Sequence, residues 1–456
     1  MKTSKAPSPL MRDLSTYIAR AGRKRLPADV MEQARIHFVD TVAAMISGSR
    51  LLPGKKALAY VKTLGGKPEA CIVGTRLLTS APNAALVHGM FAHADETDDV
   101  HPASRTHPGA GIVPCVLAVS ERARLSGATM LRGMVLGYEI CARLLLSINW
   151  LYFREAGHSA SPFGQVFGAA SAAAALMELD AAQVRYVLSY AAQQAAGLNT
   201  VLRDTEHVEK SFMLGGLGAH NGTAAALMVA SGFTGVEDVF AGDHNFFDTF
   251  APKADRAVLT RDLGKHHEIL NCGIKRWPAG GPIQGPLHVL SELMQENGIS
   301  ARDIEEWVLR MPHTELATVD NREMPDICLQ HLLALMLIDG KLTFHSAHDF
   351  GRMRDPRVLA VRKRLRVIPD PELTDPLRRF RADLTVRLKD GRELSRRTLS
   401  AKGSFDNPLL RHEEEEKALD LIGPVLGVAK SKKLLATLWK VDQLDDVRSL
   451  RKLLTA

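Results

Sequence analysis

A run of very small residues most constrains how this chain can fold. The stretch Gly168–Leu179 is almost all Ala, Ser and Met, and Gly222–Ala230 has the same character. Each such side chain buries little apolar area, so a helix built from them needs another backbone packed closely against it. Aromatic residues make up only 5% of the chain, while Ala is abundant. We therefore expect closely packed helices and no large sheet.

Helical periodicity dominates roughly the first half of the chain. One helix is predicted to begin with Pro27 in its first turn, where the missing N–H costs nothing, and to end at Gly48. Another is predicted over Leu131–Arg143, where Gly133 and Gly137 permit a close neighbour.

The pattern changes after about residue 262. Glu305–Pro312 is typical of a strand that stops at proline. The clearest hairpin signal is the Asp390-Gly391 turn, which separates two segments with alternating apolar residues. Those segments are Phe380–Lys389 and Arg392–Leu399, and further helices are predicted over Leu329–Leu337, Asp355–Leu365 and Glu413–Leu454.

These elements predict a mainly α protein of more than one domain, because 456 residues exceed one ordinary core. We expect a large all-α helical domain over residues 1–264 and an inserted, smaller α+β lid domain over residues 265–402. The C-terminal helices, residues 403–456, are expected to return to the helical domain.

Composition argues against several classes of protein. No run of about 18 apolar residues is present, so no membrane span is expected. The first residues carry charge without a following apolar segment, which argues against a signal peptide. Five scattered cysteines without a CxxC pair suggest reduced thiols and neither disulfides nor a zinc site. A cytoplasmic location is therefore expected.

The net charge of +7 is compatible with a nucleic-acid partner or with small acidic substrates. The excess is dispersed apart from short clusters such as Arg20–Arg25, and no aromatic residues are interleaved with the basic ones. We expect a small anionic substrate, with neither nucleic acid nor a membrane as partner.

The segment His93–Gly109 is the strongest functional signal. It contains three histidines, four carboxylates, an arginine and two His-Pro steps between apolar helical segments. A proline disfavours helical geometry for the residue before it, so His101 and His107 should project from irregular backbone. Carboxylates beside histidines fix their tautomers and suit them to acid–base work near neutrality.

Two other interpretations of this segment stay open. Asp98, Asp99 and Ser104 can serve as turns and caps, with the histidines solvated. A metal site is the second, since His93, Asp95, Glu96, Asp98, His101 and His107 are all possible ligands. Their spacing matches no HExxH, facial-triad or EF-hand pattern, so no metal is predicted.

Three further segments contain candidate site residues. His158 lies in a Pro/Gly loop just before the Ala-rich helix, Lys210 precedes a Gly-rich turn, and Lys275 and Arg276 lie near the expected domain junction. Each has an ordinary structural explanation as well: a packing histidine, a surface lysine and a hinge whose Gly and Pro serve backbone geometry.

The ordered set of motifs resembles the MmgE/PrpD family, which includes 2-methylcitrate dehydratase, cis-aconitate decarboxylase and an iminodisuccinate epimerase. The resemblance extends through nearly the whole chain. It rests on Leu26-Pro27, Asp40-Thr41, Asp98-Asp99 with His107-Pro108, Gly137-Tyr-Glu with Arg143, Gly157-His158, Lys210 with Gly215, Lys275 with Pro278, and Asn321-Arg322.

The resemblance implies a helical domain with a smaller α+β lid, a homodimer, and catalysis without a metal or organic cofactor. It places the residues matching Glu96, His107, His158 and Lys210 in a cleft between the domains. The position of Glu96 is often Asp in the family.

Departures from the decarboxylase branch of the family affect the expected reaction. That branch has threonine where this chain has Val100, histidines where it has Gly280 and Gln284, and tyrosine where it has Val319. These differences argue against cis-aconitate decarboxylation and less against dehydration or epimerisation.

We therefore predict a 2-methylcitrate dehydratase-like hydro-lyase that removes a proton α to a carboxylate of a small di- or tricarboxylate. An epimerase and a non-catalytic carboxylate-binding protein are the alternatives. The expected catalytic residues are His107, His158, Lys210, Glu96, Asp98 and Asp99, and the expected substrate-binding residues are His101, Arg105, Lys275, Gln284 and Arg322.

Overall fold

The computed structural model describes residues 6–455, and it is mainly helical, as predicted. The helices are α1 (Pro9–Ala21), α2 (Ala28–Gly48), α3 (Leu52–Leu64), α4 (Ala81–Ala92), α5 (Pro108–Ala123), α6 (Gly127–Ser147), α7 (Trp150–Glu155), α8 (Ala160–Leu176), α9 (Ala181–Gln194), α10 (Val208–Ser211), α11 (Leu217–Ala230), α12 (Phe246–Phe250), α13 (Gln284–Asn297), α14 (His313–Val319), α15 (Leu329–Asp339), α16 (Phe344–Ala347), α17 (Pro356–Arg362), α18 (Arg411–Leu426), α19 (Val428–Leu438) and α20 (Arg451–Leu454). The strands are β1 (Ala70–Cys71), β2 (Leu78–Thr79), β3 (Ile304–Pro312), β4 (Leu365–Asp370), β5 (Ala382–Leu388) and β6 (Glu393–Thr398).

The described residues form two compact units. Unit 1 contains residues 6–94, 98–272 and 421–455, and unit 2 contains residues 95–97 and 273–420. Unit 2 therefore interrupts unit 1 twice along the chain, once for three residues and once for a long segment. The long segment runs from 273 to 420, whereas the sequence suggested 265–402.

Unit 1 is built around α8, which packs against α6, α5 and α11. A side-chain carbon on Gly168 would lie 2.5 Å from the backbone oxygen of Gly137, and one on Gly222 would lie 2.5 Å from Ala169. These backbones are in contact, so the close packing expected from the small residues is confirmed. Helix α8 begins at Ala160, earlier than the Gly168 expected from the sequence. Pro162 does not prevent this start, because it lies in the first turn, where proline is tolerated.

Unit 2 contains a four-stranded sheet in the order β4-β3-β5-β6. Strands β5 and β6 form the predicted hairpin, and Gly391 in its turn has a φ of +89°, which favours glycine. Trp307 and Leu309 of β3 are fully buried in a core shared with α13 and α15. The helix predicted over Asp355–Leu365 ends at Arg362, and the strand β4 that follows it was not predicted.

No helix within residues 6–455 has the length and apolar character needed to cross a bilayer.

Candidate active site

The loop between α4 and α5 is buried although it is rich in charged side chains. Asp95, Asp98 and His101 are fully buried and Glu96 is 4% exposed. Charged groups leave water only when other groups compensate them, so this burial indicates a built site. His93 and His101 are therefore not solvated, contrary to the interpretation of the segment as turns and caps, although Asp99 does bind the backbone N–H of Gly109 at the start of α5.

Asp98 connects two histidines of unit 1. Its Oδ2 atom accepts a hydrogen bond from His93 Nδ1 at 2.7 Å and lies 3.4 Å from His107 Nδ1. The two imidazole rings are 5.0 Å apart between centroids. One carboxylate can therefore stabilise positive charge on either ring.

Hydrogen bonds at the ring and at the backbone hold His107 in place. The residue caps α5, and its Nδ1 donates to the backbone oxygen of Asp99 at 2.8 Å. Its own backbone oxygen accepts from Gln165 Nε2 at 2.7 Å. A carbonyl only accepts, so in the neutral ring Nδ1 carries the proton and Nε2 carries the lone pair. The side chain is 19% exposed, whereas that of His93 is fully buried.

Asp99 has a different environment from Asp98. Its Oδ1 accepts from the backbone N–H of Gly109 and its Oδ2 from the hydroxyl of Tyr138, both at 2.8 Å, and His37 Nδ1 lies 2.9 Å from Oδ2. Burial, reinforced by the Asp99 carboxylate, raises the pKa of the Tyr138 hydroxyl well above its usual value. Asp99 thus anchors the start of α5 and positions His107 through its backbone.

His101 is also fixed from both sides. Its Nδ1 accepts from the backbone N–H of Ser104 at 3.2 Å, and its Nε2 lies 3.2 Å from Glu268 Oε2. Burial raises the pKa of Glu268, but hydrogen bonds from His101 and Asn271 outweigh it and leave that pKa below its usual value. The His101 ring therefore has little freedom to turn toward a substrate.

Arg105 has a positive φ of 53°, and its guanidinium lies 3.9 Å from the centre of the Trp150 ring. A guanidinium stacked on an aromatic ring keeps its charge in a fixed place.

His207 belongs to the same cluster but was not predicted. It is buried, with its ring centre 5.4 Å from that of His93. It adopts a left-handed conformation (φ 62°) immediately before α10, which carries Lys210. The available signal was a histidine three residues before a candidate lysine. The backbone N–H of Lys210 bonds to Asp204 Oδ2 at 2.9 Å, and its side chain is half-buried.

His158 lies just before α8, as expected. Its ring packs against Phe153, Phe163 and Phe250, with centroid separations of 4.7, 5.8 and 5.8 Å. Three residues later, the Ser161 hydroxyl lies 2.8 Å from that of Thr106. The loop of His158 therefore reaches the histidine cluster through Ser161, while its ring is in an aromatic environment.

A second group of charged residues lies in unit 2. Lys275 is fully buried, and its Nζ lies 3.4 Å from Glu96 Oε2. Nearby in sequence, Asp95 lies 3.7 Å from His348 Nε2, and Lys417 donates to the backbone oxygen of Thr97 at 3.1 Å. These contacts fix residues 95–97 within unit 2.

The side-chain amide of Gln284 forms hydrogen bonds with backbone groups. It donates to the backbone oxygens of Trp277 and Ala279 at 3.0 and 2.9 Å and accepts from the N–H of Trp277 at 3.2 Å. These bonds hold the turn that follows Lys275. Arg322 is half-buried beside Asn321, whose φ of 45° marks a tight bend.

Two of the positions that depart from the decarboxylase pattern are adjacent. A side-chain carbon on Gly280 would lie 3.7 Å from Val319 Cγ1 and 3.6 Å from Ile327 Cγ2. Val319 is fully buried, so this part of unit 2 is apolar. The other two, Val100 and Gln284, are also buried.

His93, Asp98 and His107 can also be considered as metal ligands, since one ligand atom from each lies within 4.8 Å of the others. Both Nδ1 atoms form hydrogen bonds to oxygen, at 2.7 Å to Asp98 and 2.8 Å to the backbone of Asp99. These bonds use Nδ1 as an N–H donor and leave the Nε2 atom of each ring for a metal ion or for proton transfer, since metal-binding histidines also donate their other ring N–H to oxygen.

The comparisons with known proteins agree on one family. The chain is 24% identical to human cis-aconitate decarboxylase over 93% of its own length and 90% of that protein. It is 25% identical to the cis-aconitate decarboxylase-like protein oryM of Aspergillus oryzae over 62% of this chain and 61% of that protein. A shorter match, 36% identical over 105 residues, is to 2-methylcitrate dehydratase of Cupriavidus necator and covers 21% of this chain and 22% of that protein.

Decarboxylation and dehydration are both lyase reactions, so the expectation of a lyase is confirmed. The MmgE/PrpD N-terminal domain matches residues 12–258, and the C-terminal domain matches residues 277–443. Because these matches cover most of the chain, it belongs to the MmgE/PrpD family.

Proposed function

We propose that this chain is a hydro-lyase that acts on a small di- or tricarboxylate, in the manner of 2-methylcitrate dehydratase, without a metal or organic cofactor. The observation that carries the proposal is the placement of Asp98 between His93 and His107, with the Nδ1 atom of each ring bonded to oxygen. The Nε2 atom of each ring is then the one that would exchange a proton with the substrate.

His107 is the proposed base. Its Nε2 lone pair removes the proton from the carbon next to a substrate carboxylate, and the Asp98 carboxylate stabilises the imidazolium that forms. The fixed Nδ1 bond keeps the ring from turning during the reaction. His107 is preferred to the deeply buried His93 because only His107 is partly exposed.

Dehydration also needs an acid. As the C–H bond breaks, a C=C bond forms, and the hydroxyl on the adjacent carbon leaves as water after taking a proton. His93 can give this proton from Nε2 when its ring is the imidazolium that Asp98 stabilises, and its Nε2 makes no hydrogen bond to any residue from 6 to 455. His158 remains the other predicted donor.

The carboxylates of the substrate require positive charge. We propose Lys210, Lys275, Arg105 and Arg322 for this role. Positive charge beside the carboxylate stabilises the dianion that develops when the α proton leaves, which is where electrostatic catalysis has its largest effect. Glu96, paired with Lys275, would orient the ammonium group.

The reaction is tested by NMR in deuterated buffer with 2-methylcitrate, citrate and cis-aconitate as candidate substrates. We expect α-proton exchange and loss of water from one of them. His107→Asn should slow exchange by about 10²–10⁴-fold. His412→Asn, at an exposed histidine on α18, is the matched control and should exchange as fast as the native chain.

Each other outcome has a defined meaning. Exchange with inversion but without loss of water identifies the epimerase alternative, and release of CO₂ from cis-aconitate identifies a decarboxylase. Binding without exchange of any substrate identifies a carboxylate-binding protein. Loss of activity after chelation, restored by a metal, would show that the reaction depends on a metal.

A further inference from the structure

A small cavity in unit 1 lies apart from the histidine cluster. It is located where α1 ends and the chain turns into α2, and its volume is about 160 Å³. Leu26, Val135 and Leu136 provide an apolar wall, and Lys24, Arg25 and His267 provide polar groups. None of these residues belongs to the proposed active site.

The cavity has an excess of positive charge. Lys24 and Arg25 are exposed, and neither forms an ion pair with any residue that the structure describes. The guanidinium of Arg132, which also lines the cavity, donates to the backbone oxygen of Gly22 at 2.7 Å and to Thr129 Oγ1 at 2.8 Å. Arg132 therefore holds its part of the cavity wall in place, whereas Lys24 and Arg25 line the cavity as exposed side chains.

His267 adds a polar atom without a partner. Its Nδ1 is buried and makes no hydrogen bond to any described residue. Burial lowers the pKa of His267, with Asp29 opposing this effect and Lys24 reinforcing it. On another wall, burial and the Glu139 carboxylate raise the pKa of Tyr17 to about 12, so its hydroxyl stays a hydrogen-bond donor.

We propose that this cavity binds a small organic anion that carries a phosphate or carboxylate group on an apolar body. Lys24 and Arg25 attract the charged group, the Tyr17 hydroxyl donates a hydrogen bond to it, and the apolar part covers Leu136 and its neighbours.

Calorimetric titration of the full chain tests this proposal with three probes: phenyl phosphate, benzoate and inorganic phosphate. We expect phenyl phosphate to bind more tightly than inorganic phosphate, because only the former has an apolar body. Lys24→Ala and Arg25→Ala should each weaken its binding by about fivefold, as for one partly exposed ion pair. Comparison with benzoate shows whether the site prefers phosphate or carboxylate.

Arg23→Ala is the matched control. This residue carries the same charge in the same cluster, but it pairs with Glu178 at 3.2 Å and does not line the cavity. The Arg23→Ala variant should bind each probe as tightly as the native chain does. The proposal is overturned if no probe binds at concentrations on the order of 10 mM, or if Arg23→Ala weakens binding as much as Lys24→Ala.

Discussion

The contact between Gly89 and Gly215 leads to a sharp prediction about stability. Gly215 lies in a π-helical turn, Phe212–Gly216, that packs against α4. A side-chain carbon on Gly215 would lie 2.1 Å from the backbone oxygen of Gly89 and 2.8 Å from its carbonyl carbon, whereas ordinary contact begins near 3.4 Å. An alanine at 215 therefore has to push one backbone away by more than about 1 Å.

Overpacking of this kind costs about 1–3 kcal/mol, and the rigid backbone places Gly215→Ala near the upper end. We expect the free energy of unfolding to fall by about 3 kcal/mol and the melting temperature by on the order of 5 °C. Urea denaturation and a thermal scan followed by circular dichroism measure the two effects.

Activity offers a second measurement of the same change. Gln165 Nε2 donates to the backbone oxygens of Leu214 and His107 at 2.6 and 2.7 Å, so movement of the turn also disturbs His107. Gly235→Ala is the control, because its new carbon would meet its nearest neighbour at an ordinary 3.4 Å. If Gly215→Ala is as stable as Gly235→Ala, the argument from backbone contact is wrong.

Two further predictions concern buried charge. Lys275→Met should lower the free energy of unfolding by about 3–5 kcal/mol, because it leaves Glu96 buried with a charge. The double variant Lys275→Met with Glu96→Gln should lose less stability than the two single variants combined. Additive losses in urea denaturation would contradict this. Burial lowers the pKa of His88 to about 3. The unfolded chain therefore binds more protons below pH 6.5, so stability should fall on acidification from there toward pH 3, by up to about 1.4 kcal/mol per pH unit. His88→Gln should flatten this slope, and an unchanged slope would exclude His88 as its source.

The sequence was sufficient where structure is local. The hairpin at Asp390-Gly391 and the end of β3 at Pro312 follow from residues within a few positions of each other. Strand β4 was missed because its sequence contains Pro369 and its pairing is parallel with β3, far away in the chain. A strand of that kind has no local turn signal.

The candidate site shows the same division. The loop from His93 to His107 was found from composition, because so many charged groups between apolar helices suggest a site. The different environments of Asp98 and Asp99 were not predictable, because they depend on Tyr138 and Gly109, which approach only in the folded chain. His207 was missed for the same reason. The proposed roles of His158, Lys210 and Arg322, and the expected homodimer, stay predictions.

The brief passage of the chain through unit 2 at residues 95–97 has a consequence for work with gene fragments. A fragment limited to residues 273–420 would contain the whole four-stranded sheet but would lack Glu96, which lies 3.4 Å from the buried Lys275 ammonium. Such a fragment would have to bury a lysine charge without that carboxylate, or expose the lysine and part of the core around it. Truncation at the apparent boundary should therefore give poorly soluble protein, and Lys275→Met within the fragment should partly restore its solubility because it removes the buried charge.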